Sequence, residues 1–293
     1  MDRIALSVIV PVYNERDSVE SVINDLAAAV RDIEGGSEII IVDDASTDGT
    51  GAILDRLGRE GIKVLRHRMN RGYGAAITTG LHAASGEFVG ITDADGTYPV
   101  GRFAEFLEIA RHGSHDMVVG ARTGDSVKVP LVRRPAKWVL GRLANYLTGR
   151  RIPDINSGMR IMKKSAIERF SRILPEGFSF TTTITLAMMT NAYSVEFVPI
   201  DYSARSGRSK IRPIRDTLNF LQLICRTSLY FRPLRVFLPL SLALVCLSIL
   251  VVVVSGLFFE QIMDVTFGVT VMTAVMVLAI GLLADFIDKR MPL

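Results

Sequence analysis

Cysteine is almost missing from this chain of 293 residues: only Cys225 and Cys246 occur. Two thiols are too few for a disulfide framework or a zinc site. Tryptophan occurs once, as Trp138. No segment repeats another, and none is of low complexity. The net charge is a modest +4, and no nucleic-acid partner is expected. A signal peptide is not evident either, because the short apolar run over 4–12 follows Asp2-Arg3 and ends in Pro11, Asn14 and Glu15. Gly72-Tyr73-Gly74 lacks the remaining glycine of a dinucleotide fingerprint, and the first strand of the sheet lies elsewhere. A dinucleotide dehydrogenase is therefore not expected.

What the chain has in excess is apolar residues near its C-terminus. The mean hydropathy of +0.32 is high for a soluble enzyme. Residues 234–259 carry no charge except Arg235, and residues 265–284 carry none. Each run reaches the roughly 20 residues needed to cross a bilayer. Arg226, Arg232 and Arg235 lie before or at the start of the first run, Lys289 and Arg290 follow the second, and the turn Glu260-Gln261-Ile262-Met263-Asp264 has no basic residue. The positive-inside rule then predicts a two-helix hairpin with both ends, and the large N-terminal part, in the cytoplasm. Within residues 213–232, apolar positions Ile214, Leu218, Leu221, Ile224 and Leu229 alternate with Arg215 and Arg226, which suits an amphipathic helix at the membrane interface. A core helix fits the same pattern. The expected organisation is a catalytic domain over 1–212, an interfacial helix over 213–232 and a membrane hairpin over 233–293, making an integral protein of the cell membrane.

The N-terminal part alternates apolar β-rich runs with helical spacing. Strands are expected over 4–12, 38–42, 63–66, 88–92 and 116–120, and helices over 18–33, 51–61, 74–84 and 102–111. A late strand over 194–200 follows, and a helix over 135–147 is expected before it. Ser46 or Asp48 can cap the second helix. His112 and His115, without further ligand residues, are expected to face solvent. Continuously apolar strands alternating with helices indicate an α/β fold with a parallel sheet covered on both faces. Ligands in such sheets bind beyond the carboxyl ends of the strands. Those ends carry Tyr13-Asn14-Glu15, Asp43-Asp44 and Asp93-Ala94-Asp95. Two carboxylates at i and i+2 of an extended segment share a side and suit Mg²⁺ or Mn²⁺ completed by a substrate phosphate. An Asp-rich solvated turn is the plainer alternative for that tripeptide alone.

Val10-Pro11-Val12-Tyr13-Asn14-Glu15, Val42-Asp43-Asp44-Ala45-Ser46-Thr47-Asp48-Gly49 and Asp93-Ala94-Asp95, in that order, resemble the inverting GT-A glycosyltransferases of family 2. Asp154-Ile155-Asn156-Ser157-Gly158-Met159-Arg160, the basic stretch from Arg205 to Lys210 and the C-terminal hairpin resemble its dolichyl- and polyprenyl-phosphate sugar synthase branch, exemplified by dolichyl-phosphate mannose synthases. The resemblance runs nearly end to end. It implies a Rossmann-like, mostly parallel GT-A sheet and transfer of a hexose from GDP-mannose or a UDP-hexose to a polyprenyl phosphate at the cytoplasmic face. By the same resemblance, Pro11, Tyr13, Glu15, Asp43 or Asp44, and Ala94 line the nucleotide pocket, and Asp93 and Asp95 hold the metal. Arg122 with Arg133 or Arg134 holds the acceptor phosphate, Arg205 and Lys210 close over the phosphates, Asn70 and Arg71 lie by the donor, and the chains form tetramers. The arginines suit this task because a guanidinium clamps phosphate bidentately. Two departures stand out: Thr97 occupies a position where the branch often has Gln, and residues 177–188 lack an acidic residue often found there. Alternatives are a transferase acting on another lipid or a polymer, and a non-catalytic membrane scaffold. Trp138 is not in the Gln-x-x-Arg-Trp element of a processive synthase, and the intact acidic edge argues against a scaffold.

Overall fold

The computed structural model describes residues 4–58, 61–123, 141–142, 144–146, 148–177, 179–203, 233–258 and 264–290. The chain divides into two compact units, Met1–Phe220 and Leu221–Leu293. Arg133, Arg134, Trp138, Arg205, Lys210 and Cys225 lie outside the described residues, as do the expected interfacial helix and most of the helix expected over 135–147.

The first unit is built on seven strands: β1 (Leu6–Val12), β2 (Ser37–Asp43), β3 (Ile62–Arg66), β4 (Phe88–Ile91), β5 (Met117–Ala121), β6 (Arg160–Lys163) and β7 (Val195–Pro199). Their order in the sheet is β3-β2-β1-β4-β6-β5-β7. All pairings are parallel except those of β6, which runs antiparallel between β4 and β5. Between the strands lie α1 (Val19–Val30), α2 (Thr50–Leu57), α3 (Tyr73–Ala83), α4 (Phe103–His112), α5 (Lys164–Arg169) and α6 (Phe180–Thr190). The expected strands and the four expected helices all form, with ends shifted by a few residues. β1 is buried along its whole length, which explains why its sequence shows no polar alternation. α1 instead buries Val19, Val22, Ile23, Leu26 and Val30, the stripe its spacing predicts.

After β1 the chain turns to β2 and β3 on one side, and after β3 it crosses to β4 on the other side of β1. The switch point between β1 and β4 is where an open α/β sheet leaves a crevice for ligands. The loop after β1 and the Asp93–Asp95 segment after β4 border it. Close packing tightens the rim nearby: a Cβ on Gly74, in the first turn of α3, would fall on the carbonyl oxygen of Pro175.

The second unit contains α7 (Leu234–Phe258) and α8 (Asp264–Arg290). Both are long and apolar enough to cross a membrane. The buried residues of α7 are Ser241, Ser248 and Ser255, one every seven residues. Ser241 Oγ donates to the carbonyl of Ala274 at 2.9 Å, and Ser248 Oγ meets Thr270 Oγ1 at 2.6 Å. Small residues on this seam let the two backbones approach.

Candidate active site

β1 and β2 run in parallel register with Val12 opposite Asp43, so the chain leaves both strands side by side. Hydrogen bonds join the two loops. The N–H groups of Asn14, Glu15 and Arg16 donate to Ser46 Oγ (3.0 Å), Thr50 Oγ1 (3.1 Å) and Asp48 Oδ2 (3.2 Å). In return the N–H of Thr47 donates to Asn14 Oδ1 at 2.7 Å. Asn14 adopts φ +56°, a region that Asn tolerates better than most residues. Asp48 also accepts the N–H of Thr50 at 3.0 Å, so of the two candidate caps for α2 it is Asp48 that engages the helix start. Pro11 is buried in β1, and Tyr13 stands at the rim, 38% exposed.

The adjacent buried carboxylates after β2 have different tasks. Asp43 Oδ1 accepts the N–H of Ser46 at 2.9 Å, and Oδ2 lies 3.6 Å from Arg66 Nε. Asp44 takes three internal partners: His67 Nδ1 at 2.6 Å and the N–H groups of Arg71 (2.8 Å) and Gly72 (2.7 Å). His67 is in turn fixed by Thr79 Oγ1 at 2.9 Å. Asp44 therefore organises the entry to α3, and Asp43 is the less internally engaged of the pair.

Across the switch point, Asp95 Oδ1 accepts both the N–H (3.1 Å) and the hydroxyl (2.6 Å) of Thr97. Thr97, itself buried, is thus tied to Asp95 through both its backbone and its hydroxyl. Ala94 is anchored to the start of α1, its carbonyl accepting Ser18 Oγ at 2.8 Å. A cleft of about 260 Å³ lined by Ser18, Ser21, Asp25, Asp95 and Tyr98 opens beside it. Asp93 packs against Gly158, where an added Cβ would lie 2.7 Å from Asp93 Oδ2. Burial, then the charge of Asp93, push the phenol of Tyr73, whose hydroxyl is buried, well above its ordinary value. The same two causes raise Tyr98. The Tyr98 hydroxyl accepts the N–H of Gly158 at 2.7 Å.

Arg122 follows β5. Its Nε and Nη2 grip Asp154 bidentately at 2.6 and 2.9 Å, and its guanidinium lies 5.2 Å from the Tyr202 ring centre. Tyr202 meets Tyr98 edge to face at 5.2 Å. Burial opposes the charge of Arg122, but the bonds to Asp154 overcome it and raise the pKa. Burial likewise opposes the charge of Asp154, yet Arg122 holds that carboxyl below its ordinary value.

Thus Pro11, Tyr13, Glu15, Asp43, Asp44, Asp93, Ala94, Asp95 and Arg122 all lie in loops or strand ends on one edge of the sheet. Sequence reasoning missed the roles of Asp154, Gly158 and Tyr98, and also Arg160, which is fully buried on β6. Burial pushes the Arg160 guanidinium down to about 10. The available signal was an arginine opening the apolar run Arg160-Ile161-Met162. Another departure is His115, whose Nδ1 meets Ser194 Oγ at 2.8 Å instead of facing solvent, while His112 is exposed.

Among the described residues, no cluster of three or more His, Cys, Asp or Glu side chains could hold a metal ion. Two carboxylates, one of them pinned by Thr97, nonetheless fit a Mg²⁺-type ion, which retains waters and takes phosphate oxygens as its remaining ligands.

Residues 7–170 match the family model described as glycosyl transferase family 2. A dolichyl-phosphate hexose transferase of Haloferax volcanii is 31% identical over 71% of this chain and 87% of its own length. A polyprenol monophosphomannose synthase of Mycolicibacterium smegmatis is 30% identical over 70% and 80%. A dodecaprenyl-phosphate galacturonate synthase of Rhizobium johnstonii is 25% identical over 97% of this chain and 88% of its own length. In fold, the chain is similar to glucosyl-3-phosphoglycerate synthase of Mycobacterium tuberculosis solved with Mn²⁺, UDP and phosphoglyceric acid, with a TM-score of 0.57 at 20% identity, covering 79% of this chain and 78% of that one. From the family match and these relatives, the chain belongs to glycosyl transferase family 2.

Proposed function

We propose that this glycosyltransferase moves one hexose from GDP-mannose or a UDP-hexose to a polyprenyl phosphate at the cytoplasmic face of the cell membrane, with Mg²⁺ or Mn²⁺ as cofactor. The observation that carries the reading is the convergence, around the β1–β4 switch point, of the joined 13–16 and 44–50 loops, the Asp93–Asp95 pair and the Arg122–Asp154 pair. The relatives named for lipid-phosphate sugar transfer support the acceptor class. The neighbour solved with Mn²⁺ and UDP supports a divalent ion.

Tyr13, Glu15 and Asp43 line the nucleotide side, and Asp93 and Asp95 hold the ion. When bound, that ion supplies positive charge to the departing diphosphate. One oxygen of the acceptor phosphate attacks the anomeric carbon in line. The bond from that carbon to the nucleoside diphosphate breaks, its electron pair leaves with the diphosphate, and the configuration inverts. An acceptor phosphate with a second pKa near 6 is largely ionised at neutral pH, so no side chain needs to remove a proton. Arg122, Arg133 or Arg134, Arg205 and Lys210 offset the repulsion between the two anionic substrates. The fork on Asp154 holds the Arg122 side chain in place. A catalytic domain over 1–212, an interfacial helix over 213–232 and a hairpin over 233–293 bring that chemistry to headgroup level, in a tetramer.

The test is the full chain in detergent with polyprenyl phosphate, a panel of GDP- and UDP-sugars, and Mg²⁺ or Mn²⁺. One donor is expected to be consumed with formation of a polyprenyl-phosphate hexose, and Asp95→Ala to lower the rate about a thousandfold. No consumption of any donor would sink the proposal.

A further inference from the structure

Arg160 is the first residue of β6, opposite Ile91 of β4 and Val119 of β5. It is fully buried, and among the described residues it makes no ion pair. Its guanidinium donates instead to oxygens: Thr181 O at 3.1 Å, Thr185 Oγ1 at 2.9 Å and the carbonyl of Ser157. Among the described residues, its Nε has no hydrogen-bond partner. Burying a cation without a carboxylate is costly, and its strand neighbours Ile161 and Met162 show that the sheet here accepts apolar side chains. Filling the core does not explain this residue.

The contacts point to another task. Arg160 holds the Ser157 carbonyl from one side, and the Tyr98 hydroxyl holds the next N–H, that of Gly158, from the other. Thr182 Oγ1 donates to Asn156 Oδ1 at 2.6 Å, so the residue before Ser157 is tied to α6 as well. The turn so fixed presents the Cα of Gly158 to the Asp93 carboxylate, with no room there for a Cβ. The phenol of Tyr73 feels both Asp93 and Arg160.

We propose that Arg160 and Gly158 are positioning residues for Asp93: Arg160 pins the Ser157–Gly158 turn to α6, and Gly158 leaves the carboxylate the one space in which it faces the metal. This rests on the reading of Asp93 as a metal ligand. Residues behind a metal ligand typically alter metal affinity about 10- to 100-fold when changed.

The test uses the full chain in detergent and Mn²⁺ alone as the probe, with binding followed by loss of the free-ion electron paramagnetic resonance signal. Alongside it run thermal melting and the dependence of turnover on Mn²⁺ concentration. Gly158→Ala and Arg160→Met are expected to weaken Mn²⁺ binding at least about tenfold. Arg160→Met is expected to do so with only a small change in melting temperature, because losing a buried charge offsets the buried oxygens left without their donor. Arg160→Lys, which keeps a donor, recovers part of the affinity. Folded Gly158→Ala with parental Mn²⁺ affinity overturns the inference while leaving the metal reading intact. So does a loss of melting temperature in Arg160→Met with parental affinity, which would mark a purely structural bolt. If the parent binds no Mn²⁺, the metal reading of Asp93 fails and the inference fails with it.

Discussion

The two units of this chain are inverted with respect to each other. In the first, β1 is buried from end to end and apolar except for Ser7, and the acidic residues of the candidate site are gathered at one edge of the sheet. In the second, the buried positions of α7 are serines, while Leu238, Leu240, Leu242, Leu247, Ile249 and Leu250 are exposed. Leucine outside and serine inside is the opposite of what water selects. The inversion follows if the outer face meets hydrocarbon, because apolar burial then gives no driving force between helices and close approach with interhelical hydrogen bonds holds them together. One chain therefore has to be judged against two solvents, and its hydropathy average describes neither half.

Substitutions can break this contrast. The largest effect is expected in the water-facing core: Phe103→Ala, at a fully buried ring, should lower the stability of the first unit by about 3–5 kcal/mol. Leu250→Ala on the outer face of α7 should cost only about 0.5 kcal/mol, and thermal melts of the two variants in the same detergent make the comparison. Charge sharpens it further. Leu250→Lys should oppose membrane insertion by about 2.5–3.5 kcal/mol, read as a shift from the membrane to the soluble or degraded fraction. Met69→Lys, at an exposed site in the first unit, should stay within about 0.5 kcal/mol. Equal effects of the two lysines would remove the case for two solvents.

Acid should separate the units more gently. The Asp154 carboxyl is held below its ordinary value by Arg122 against the cost of burial, and Glu38 is likewise lowered, against its own burial, by Lys63, Ser7 and Ser85. Groups lowered in this way stabilise the fold above their unfolded values, and that contribution is lost as the pH falls through the folded values. Urea melts between about pH 5 and about pH 3 should show the first unit weakening first while the helical signal of α7 and α8 persists. Asp154→Asn should be less stable at neutral pH and should show a flatter decline below pH 3.8.

Most of the sheet was readable because its signals are local. A run such as Ile39-Ile40-Ile41-Val42 between polar turns has few ways to be anything but a buried strand. α6 escaped because Phe180 to Met189 are all buried, so no polar face exists to set a period. β6 escaped for a different reason: four residues that open on an arginine are too short to show a period, and period-2 patterning would not have told its direction in any case. At the candidate site, residue types pointed to one edge of the sheet, where the fold does gather them, but not to the bonds each of them makes. Asp43 and Asp44 are indistinguishable in sequence, and only the positions of His67, Arg71 and Gly72 commit Asp44 to internal bonds.

The order of residues alone decided the alternation of strands and helices, the acidic strand ends and the two long apolar runs, since each depends on neighbours within a few positions. Folding decided what distant residues do to one another. It set His67 on Asp44, closed Arg122 on Asp154 and placed a buried arginine behind the turn that faces Asp93. Contacts such as Arg122 to Asp154 and Arg160 to Thr185 join residues more than 20 positions apart, and no local pattern records them.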